Sequence, residues 1–144
     1  MNKACFVFDT WALLAYLQSE EPARFRVREL LRQARAGDAY LYLSLINLGE
    51  VYYTLSRRTG QPQAEATLES ARRLPIICLE VSEERVLAAA RLKATHPISY
   101  ADTFAVAAAQ ELGATLVTGD PEITERFRGT LDIEELTRRG TPRH

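Results

Sequence analysis

Lysine is almost missing from this chain of 144 residues: Lys3 and Lys93 are the only two, and sixteen arginines supply the remaining positive charge. Nineteen acidic residues offset eighteen basic ones, for a net charge of −1. A near-neutral chain has no general attraction for polyanions, so any nucleic-acid contact must use a local patch. Cysteine is equally scarce. Cys5 and Cys78 lie far apart in apolar stretches without CxxC or Cys/His spacing, which excludes a zinc cluster and argues against a disulfide framework. Both are expected as reduced core residues. Histidine is limited to His96, just before a proline, and His144 at the end; neither is assigned to catalysis. Apolar runs stay short of the ~18 residues a membrane span requires. The most apolar stretch, Met1 to Leu17, is broken by Asp9, has only Lys3 as a basic residue and lacks a small-residue cleavage site, so it is not read as a signal peptide. A soluble, cytoplasmic protein is expected. Seven Gly, six Pro and no biased tract argue against a fibrous or disordered chain.

What is present alternates. Continuous apolar runs at Ala4–Phe8, Ala39–Leu43, Ile76–Leu79 and Thr115–Thr118, with a weaker one at Thr130–Ile133, read as strands buried on both faces, the signature of parallel sheets covered by helices. Between them the pattern predicts helices over Trp11–Gln18, Ala23–Ala36, a segment capped by Ser44 with Leu45, Leu48, Tyr52 and Leu55 inward, Gln63–Arg73, a segment opened by Ser82, and the nearly all-apolar Ser99–Leu112 with Gly113 as its stop. This alternation predicts a three-layer α/β/α sandwich with a parallel sheet of four to five strands in the order 3-2-1-4-5. One domain is expected over residues 1–137, followed by a basic tail, 138–144, expected to fray.

Only five aspartates occur, so their positions carry information. Asp9 ends the first strand, Asp120 follows the fourth, Asp102 lies in the first turn of the buried helix, and Glu50 lies about two turns into the helix after strand two. Ligands of open parallel sheets bind beyond the carboxyl ends of the strands, where strand order reverses. There Asp9 and Asp120 would face each other, with Asp102 and Glu50 opening onto the same end. Four convergent carboxylates repel unless cations intervene, and hard oxygen donors suit Mg²⁺ or Mn²⁺. Each acid also has an ordinary reading. Asp9 and Asp120 stand where helix caps stand, Ser99-x-x-Asp102 resembles a capping box, and Glu50 shares a polar stripe with Asn47, Thr54 and Arg57.

Four segments together resemble the PIN-domain ribonucleases, and among them the VapC-type toxins of toxin–antitoxin pairs. They are Phe6-Val7-Phe8-Asp9-Thr10 with Ala12–Tyr16, Ser44-x-x-Asn47-Leu48-Gly49-Glu50-Val51, Ile98-Ser99-Tyr100-Ala101-Asp102-x-Phe104-Ala105, and Leu116-Val117-Thr118-Gly119-Asp120-Pro121-Glu122. The resemblance implies that Asp9, Glu50, Asp102 and Asp120 bind metal, with Thr118 a supporting hydroxyl. Asp120 is the loosest of the four because Glu122 lies close by. It further implies a Mg²⁺- or Mn²⁺-dependent endoribonuclease, a VapB-type antitoxin that fills the active-site groove, and a homodimer.

Metal-assisted hydrolysis of a phosphodiester needs no His, Lys or Tyr as general base, which suits this composition. RNA would be gripped by arginines such as Arg57 and Arg58 or Arg138, Arg139 and Arg143. Trp11 and Tyr100 flank two of the acids and suit base stacking, a core role being the ordinary reading for Trp11. Single-stranded or looped RNA is the expected substrate. Tyr52, Tyr53, Leu13, Leu14 and Leu17 suit either a partner surface or the core. Two alternatives remain. One is a nuclease-inactive PIN-like module for binding or interaction. The other is a Mg²⁺-dependent phosphatase-like domain, which would want a second acid where Thr10 stands and a late lysine that the chain lacks.

Overall fold

In a computed structural model describing residues 3–139, the chain alternates as the apolar pattern predicts. It runs β1 (Ala4–Phe8), α1 (Thr10–Leu17), α2 (Ala23–Arg35), β2 (Ala39–Ser44), α3 (Leu45–Thr59), α4 (Gln61–Arg72), β3 (Ile77–Leu79), α5 (Glu83–Thr95), α6 (Tyr100–Leu112), β4 (Thr115–Thr118), α7 (Pro121–Phe127) and β5 (Ile133–Glu135). Among the described residues the sheet has five strands, every pairing is parallel, and the order is β3-β2-β1-β4-β5.

Strand pleating explains the unbroken apolar runs. Successive side chains point to opposite faces, so Phe6 and Phe8 join the core on one side and Cys5 and Val7 the core on the other. The first core packs residues of α1, α2, α3 and α4 against Phe8, Leu41, Leu43 and Val117. The second packs α6 and α7 against Val7, Leu79 and Leu116. Helix α6 is the most buried, with every residue from Thr103 to Ala109 inside. Its start is capped by Ser99, and its end by Gly113 in the left-handed region (φ 59°), which a Cβ disfavours.

Several details differ from the sequence reading. Strand β3 is an edge strand paired only with β2, so Ile77 and Cys78 are exposed; Cys78 is not a core residue, while Cys5 is half-buried. Strand β5 begins at Ile133 rather than Thr130, because the amides of Thr130 and Leu131 are spent on Phe127 O in a turn behind α7. On α3, the buried stripe is Asn47, Leu48, Val51 and Leu55, and Leu45 lies 40% exposed at the first position past the cap. Tyr52 is half-buried, with its hydroxyl donating to Glu65 at 2.7 Å. Helix α4 starts two residues early, with Pro62 tolerated in the first turn where no intrahelical N–H is needed.

Of the residues expected in a tail, Arg138 and Arg139 are held against the α1–α2 corner. Arg138 pairs with Pro22 and forms an ion pair with Glu20 at 2.9 Å, and the Arg139 amide donates to Glu21 O at 2.8 Å. Residues 140–144 of that segment, including Arg143 and His144, lie outside the described residues. Among the described residues, no helix is long and apolar enough to cross a membrane.

Candidate active site

The strand order reverses between β1 and β4, which run parallel, and the acids gather at their carboxyl ends. Asp9 is 1% exposed. It caps α1, its Oδ1 accepting the Ala12 amide at 2.8 Å, while its Oδ2 accepts the Thr118 hydroxyl at the end of β4. The Thr118 Oγ1 in turn accepts the Asp120 amide at 3.0 Å, and Asp120 Oδ1 accepts the Glu122 amide at 3.0 Å to cap α7. Asp102 lies in the first turn of α6, its amide donating to Ser99 Oγ at 3.1 Å. For Asp9 and Asp120, capping and membership of an acidic cluster therefore coexist.

The acids act on one another electrostatically. Burial pushes the Asp9 carboxyl up to about 8, against the lowering pull of its Thr118 and Ala12 hydrogen bonds; Asp102 and Asp120 push it further up. Asp102 is raised to about 6, first by burial, then by Asp120, with Glu50 and Glu122 adding smaller repulsions and Ser99 opposing them. Clustered carboxylates with raised proton affinity are the arrangement from which a functional site is inferred. The amino-terminal ends of α1, α6 and α7 lie at this end of the sheet, and their positive dipole ends offset part of the negative charge.

Two buried polar residues in this region went unassigned in the sequence reading. The Thr10 hydroxyl donates to Glu50 Oε1 at 2.5 Å, and Asn47 Nδ2 donates both to Thr10 Oγ1 at 3.1 Å and to Ala101 O at 3.0 Å. Asn47 is fully buried. The available signal was its position three residues before Glu50, on the same face of α3. Glu50 is thus half-buried and tethered rather than freely solvated.

The other sequence candidates divide. Trp11 packs against the core, with the Arg138 guanidinium 5.4 Å from its ring centroid. Tyr100 is 44% exposed and stands edge-on to Phe104. Tyr53 is 46% exposed; its hydroxyl lies 3.4 Å from Glu50 Oε2 and Arg57 lies over its ring at 5.0 Å. Arg58 donates to Gln18 at 2.6 Å. Leu13 is a core residue, while Leu14 and Leu17 are half-buried against the same core. His96 stacks on Phe127, its Nδ1 3.0 Å from Leu92 O.

Gly119, between Thr118 and Asp120, is required for space. A Cβ there would lie 2.3–2.4 Å from three atoms of the Trp11 six-membered ring. Gly119→Ala is expected to displace Trp11 and cost about 1–3 kcal/mol, the usual penalty of overpacking, read as a lower urea midpoint. A midpoint equal to wild type would show that the indole moves freely.

Among the described residues, no three His, Cys, Asp or Glu side chains are gathered tightly enough to chelate one ion as they stand. The chemistry of the donor set nevertheless fits a hard divalent cation. Every donor is a carboxylate oxygen, and Asp9 and Asp102 each feel neighbouring negative charge that a cation would neutralise.

An open parallel α/β/α sandwich with acids at its switch point defines a class, and comparison with known proteins places the chain within it. The model of the PIN domain family matches residues 6–127, and the chain belongs to that family. None of the curated proteins matches the sequence. Among solved structures, VapBC2 from Rickettsia felis, bound to a DNA fragment from its promoter, is 19% identical with a TM-score of 0.70, covering 92% of this chain and 99% of that one. DNA-bound VapBC from Salmonella typhimurium is 21% identical with a TM-score of 0.70, over 92% and 98%. VapC20 from Mycobacterium tuberculosis, a Sarcin-Ricin loop cleaving toxin, is 17% identical with a TM-score of 0.67, over 84% and 94%.

Proposed function

We propose that this PIN domain is a divalent-metal-dependent endoribonuclease that acts as the toxin of a VapBC-type pair. The observation that carries the reading is the Asp9 carboxyl, buried at the end of β1 and pressed by the charges of Asp102 and Asp120. Burying a carboxylate among like charges costs stability, and such a cost is retained at sites that use it. The toxin assignment is supported by the fold shared with VapBC complexes and VapC20.

Asp9, Glu50, Asp102 and Asp120 are the residues that would hold Mg²⁺ or Mn²⁺. The chemistry such an ion supplies when bound is charge relief on the phosphodiester and acidification of water. The chain's own residues organise the rest. Thr118 holds Asp9 in one rotamer and meets the Asp120 amide through the same oxygen, so β4 positions two acids from one hydroxyl. The dipoles of α1, α6 and α7 favour an anionic strand at this end of the sheet. Tyr53 and Tyr100, exposed beside Glu50 and Asp102, offer stacking faces for splayed bases, with Arg57 beside the first for phosphate. Single-stranded or looped RNA is the substrate these features suit.

A VapB-type antitoxin is the proposed protein partner and a homodimer the proposed assembly, the toxin acting in the cytoplasm. Purified antitoxin-free protein is expected to cut a labelled pool of single-stranded RNA with Mg²⁺ or Mn²⁺ and to leave it intact in EDTA. Folded protein that cuts nothing with either ion would overturn the nuclease and leave a binding module. Cleavage unaffected by EDTA would remove the metal from the reading.

A further inference from the structure

We infer that Asn47 and Thr10 are positioning residues: one amide, acting through one hydroxyl, sets the Glu50 carboxylate for a divalent cation and ties three of the acid-bearing elements into one register. The inference rests on the metal-dependent reading of the site above.

Each partner of the Asn47 side chain is adjacent in sequence to a site acid. Thr10 follows Asp9, Ala101 precedes Asp102, and Asn47 lies one helical turn before Glu50. The Asn47 Nδ2 donates to Thr10 Oγ1 at 3.1 Å and to Ala101 O at 3.0 Å, so a single –NH₂ group uses both its protons to join α1, α3 and α6. With its oxygen receiving that bond, the Thr10 hydroxyl directs its own proton to Glu50 Oε1 at 2.5 Å. A hydroxyl that accepts one bond while donating another is polarised, and a bond to an ionised acceptor is among the stronger kinds. The Asn47 Oδ1 is buried and, among the described residues, has no hydrogen-bond partner. An unsatisfied buried acceptor is costly, so the two donated bonds account for an amide at this position. Aspartate or leucine would fill similar space without the donors. Thr10 is itself buried, which shields the Thr10–Glu50 bond from competing water.

The consequence is a division of labour among the acids. Asp9 is held by Thr118, whereas Glu50 is held through Oε1 by Thr10, itself fixed by Asn47, with the exposed Tyr53 hydroxyl 3.4 Å from Oε2. A ligand oriented in advance loses less freedom when a cation arrives, and groups that orient metal ligands typically alter affinity about 10–100-fold when removed.

The test measures Mn²⁺ binding by electron paramagnetic resonance on the full chain, free of RNA, with thermal melts to confirm folding. Thr10→Val keeps the shape and removes the hydroxyl, and is expected to weaken Mn²⁺ about 10–100-fold. Thr10→Ser keeps the hydroxyl and is expected to bind within about threefold of wild type, a rescue that packing alone would not produce, since serine packs less well than valine. Thr10→Ala replaces the valine variant if valine does not fold. Asn47→Ala is expected to weaken binding comparably, and the Thr10→Val/Asn47→Ala pair by less than the product of the two, because both break one chain of bonds. Folded Thr10→Val that binds as wild type does, a serine variant as weak as valine, or fully multiplicative losses would each overturn the inference while leaving the nuclease reading in place. Wild-type protein that binds no Mn²⁺ would overturn both.

Discussion

Asp9→Asn is expected to lower metal-dependent RNA cleavage at least about 100-fold, the loss that follows removal of one preorganised electrostatic group, and at the same time to raise thermal stability near neutral pH. The two effects share a cause. Asn retains the oxygen that accepts the Ala12 amide, so the α1 cap survives, while the bond to Thr118 reverses, the Asn –NH₂ donating to the hydroxyl oxygen that donated to Asp9. What disappears is a carboxyl that burial raises from 3.8 to about 8. A carboxyl raised in this way holds its proton more tightly folded than unfolded. Its stabilising proton uptake is complete below the unfolded value and is lost as pH rises through the folded one. In EDTA, the advantage of Asn over Asp should therefore be small at pH 4, grow through pH 6 and level off above pH 8. At pH 8 the variant is expected to melt at least about 5 °C higher, since about 1 kcal/mol moves the midpoint of a domain this size by a few degrees. Differential scanning calorimetry at pH 4, 6 and 8 checks it. Equal melting points throughout would show that Asp9 is hydrated, and cleavage that survives the substitution would place the site elsewhere.

The second large effect belongs to the residue before it. Phe8 is fully buried, paired in register with Leu43 on β2 and Val117 on β4, and packed in the core beneath α1–α4. Phe8→Ala is expected to cost about 3–5 kcal/mol through lost transfer energy and an unfilled cavity, a large share of a total stability of about 5–15 kcal/mol. The urea midpoint should fall with an unchanged slope, and cleavage at 37 °C should fall with the folded fraction while persisting at low temperature. A cost below about 1 kcal/mol would mean that the neighbouring leucines close the gap. Cys78→Ser, by contrast, should stay within about 0.5 kcal/mol of wild type, as expected for an exposed position.

The alternation of apolar runs and helical stripes, the caps at Ser44, Ser82 and Ser99, the stop at Gly113 and the placement of Asp9 and Asp120 after β1 and β4 were all legible in the sequence. Each depends on a residue and its neighbours within about one helical turn or one strand, where periodicity and capping chemistry act. Together with the parallel-sheet rule, they located the acids at one end of one sheet. Cys78 and the start of β5 differ because an apolar run does not say whether its strand lies at the centre or the edge, nor where pairing begins. Leu45 differs because spacing alone does not say which residue of the first turn of α3 the packing turns inward.

The tether on Glu50 was out of reach for the same reason: its hydrogen bonds join residues 37, 40 and 54 positions apart. The approach of Gly119 to Trp11 and the seating of Arg138 on the α1–α2 corner likewise join distant segments. The sequence by itself determined which residues are acidic, apolar or capping, and hence the layers and the end of the sheet at which the candidate site lies. Only the tertiary structure decided which side chains share a hydrogen bond there and how deeply Asp9 is buried, because strand order and helix packing set the distances between segments that local preferences do not link.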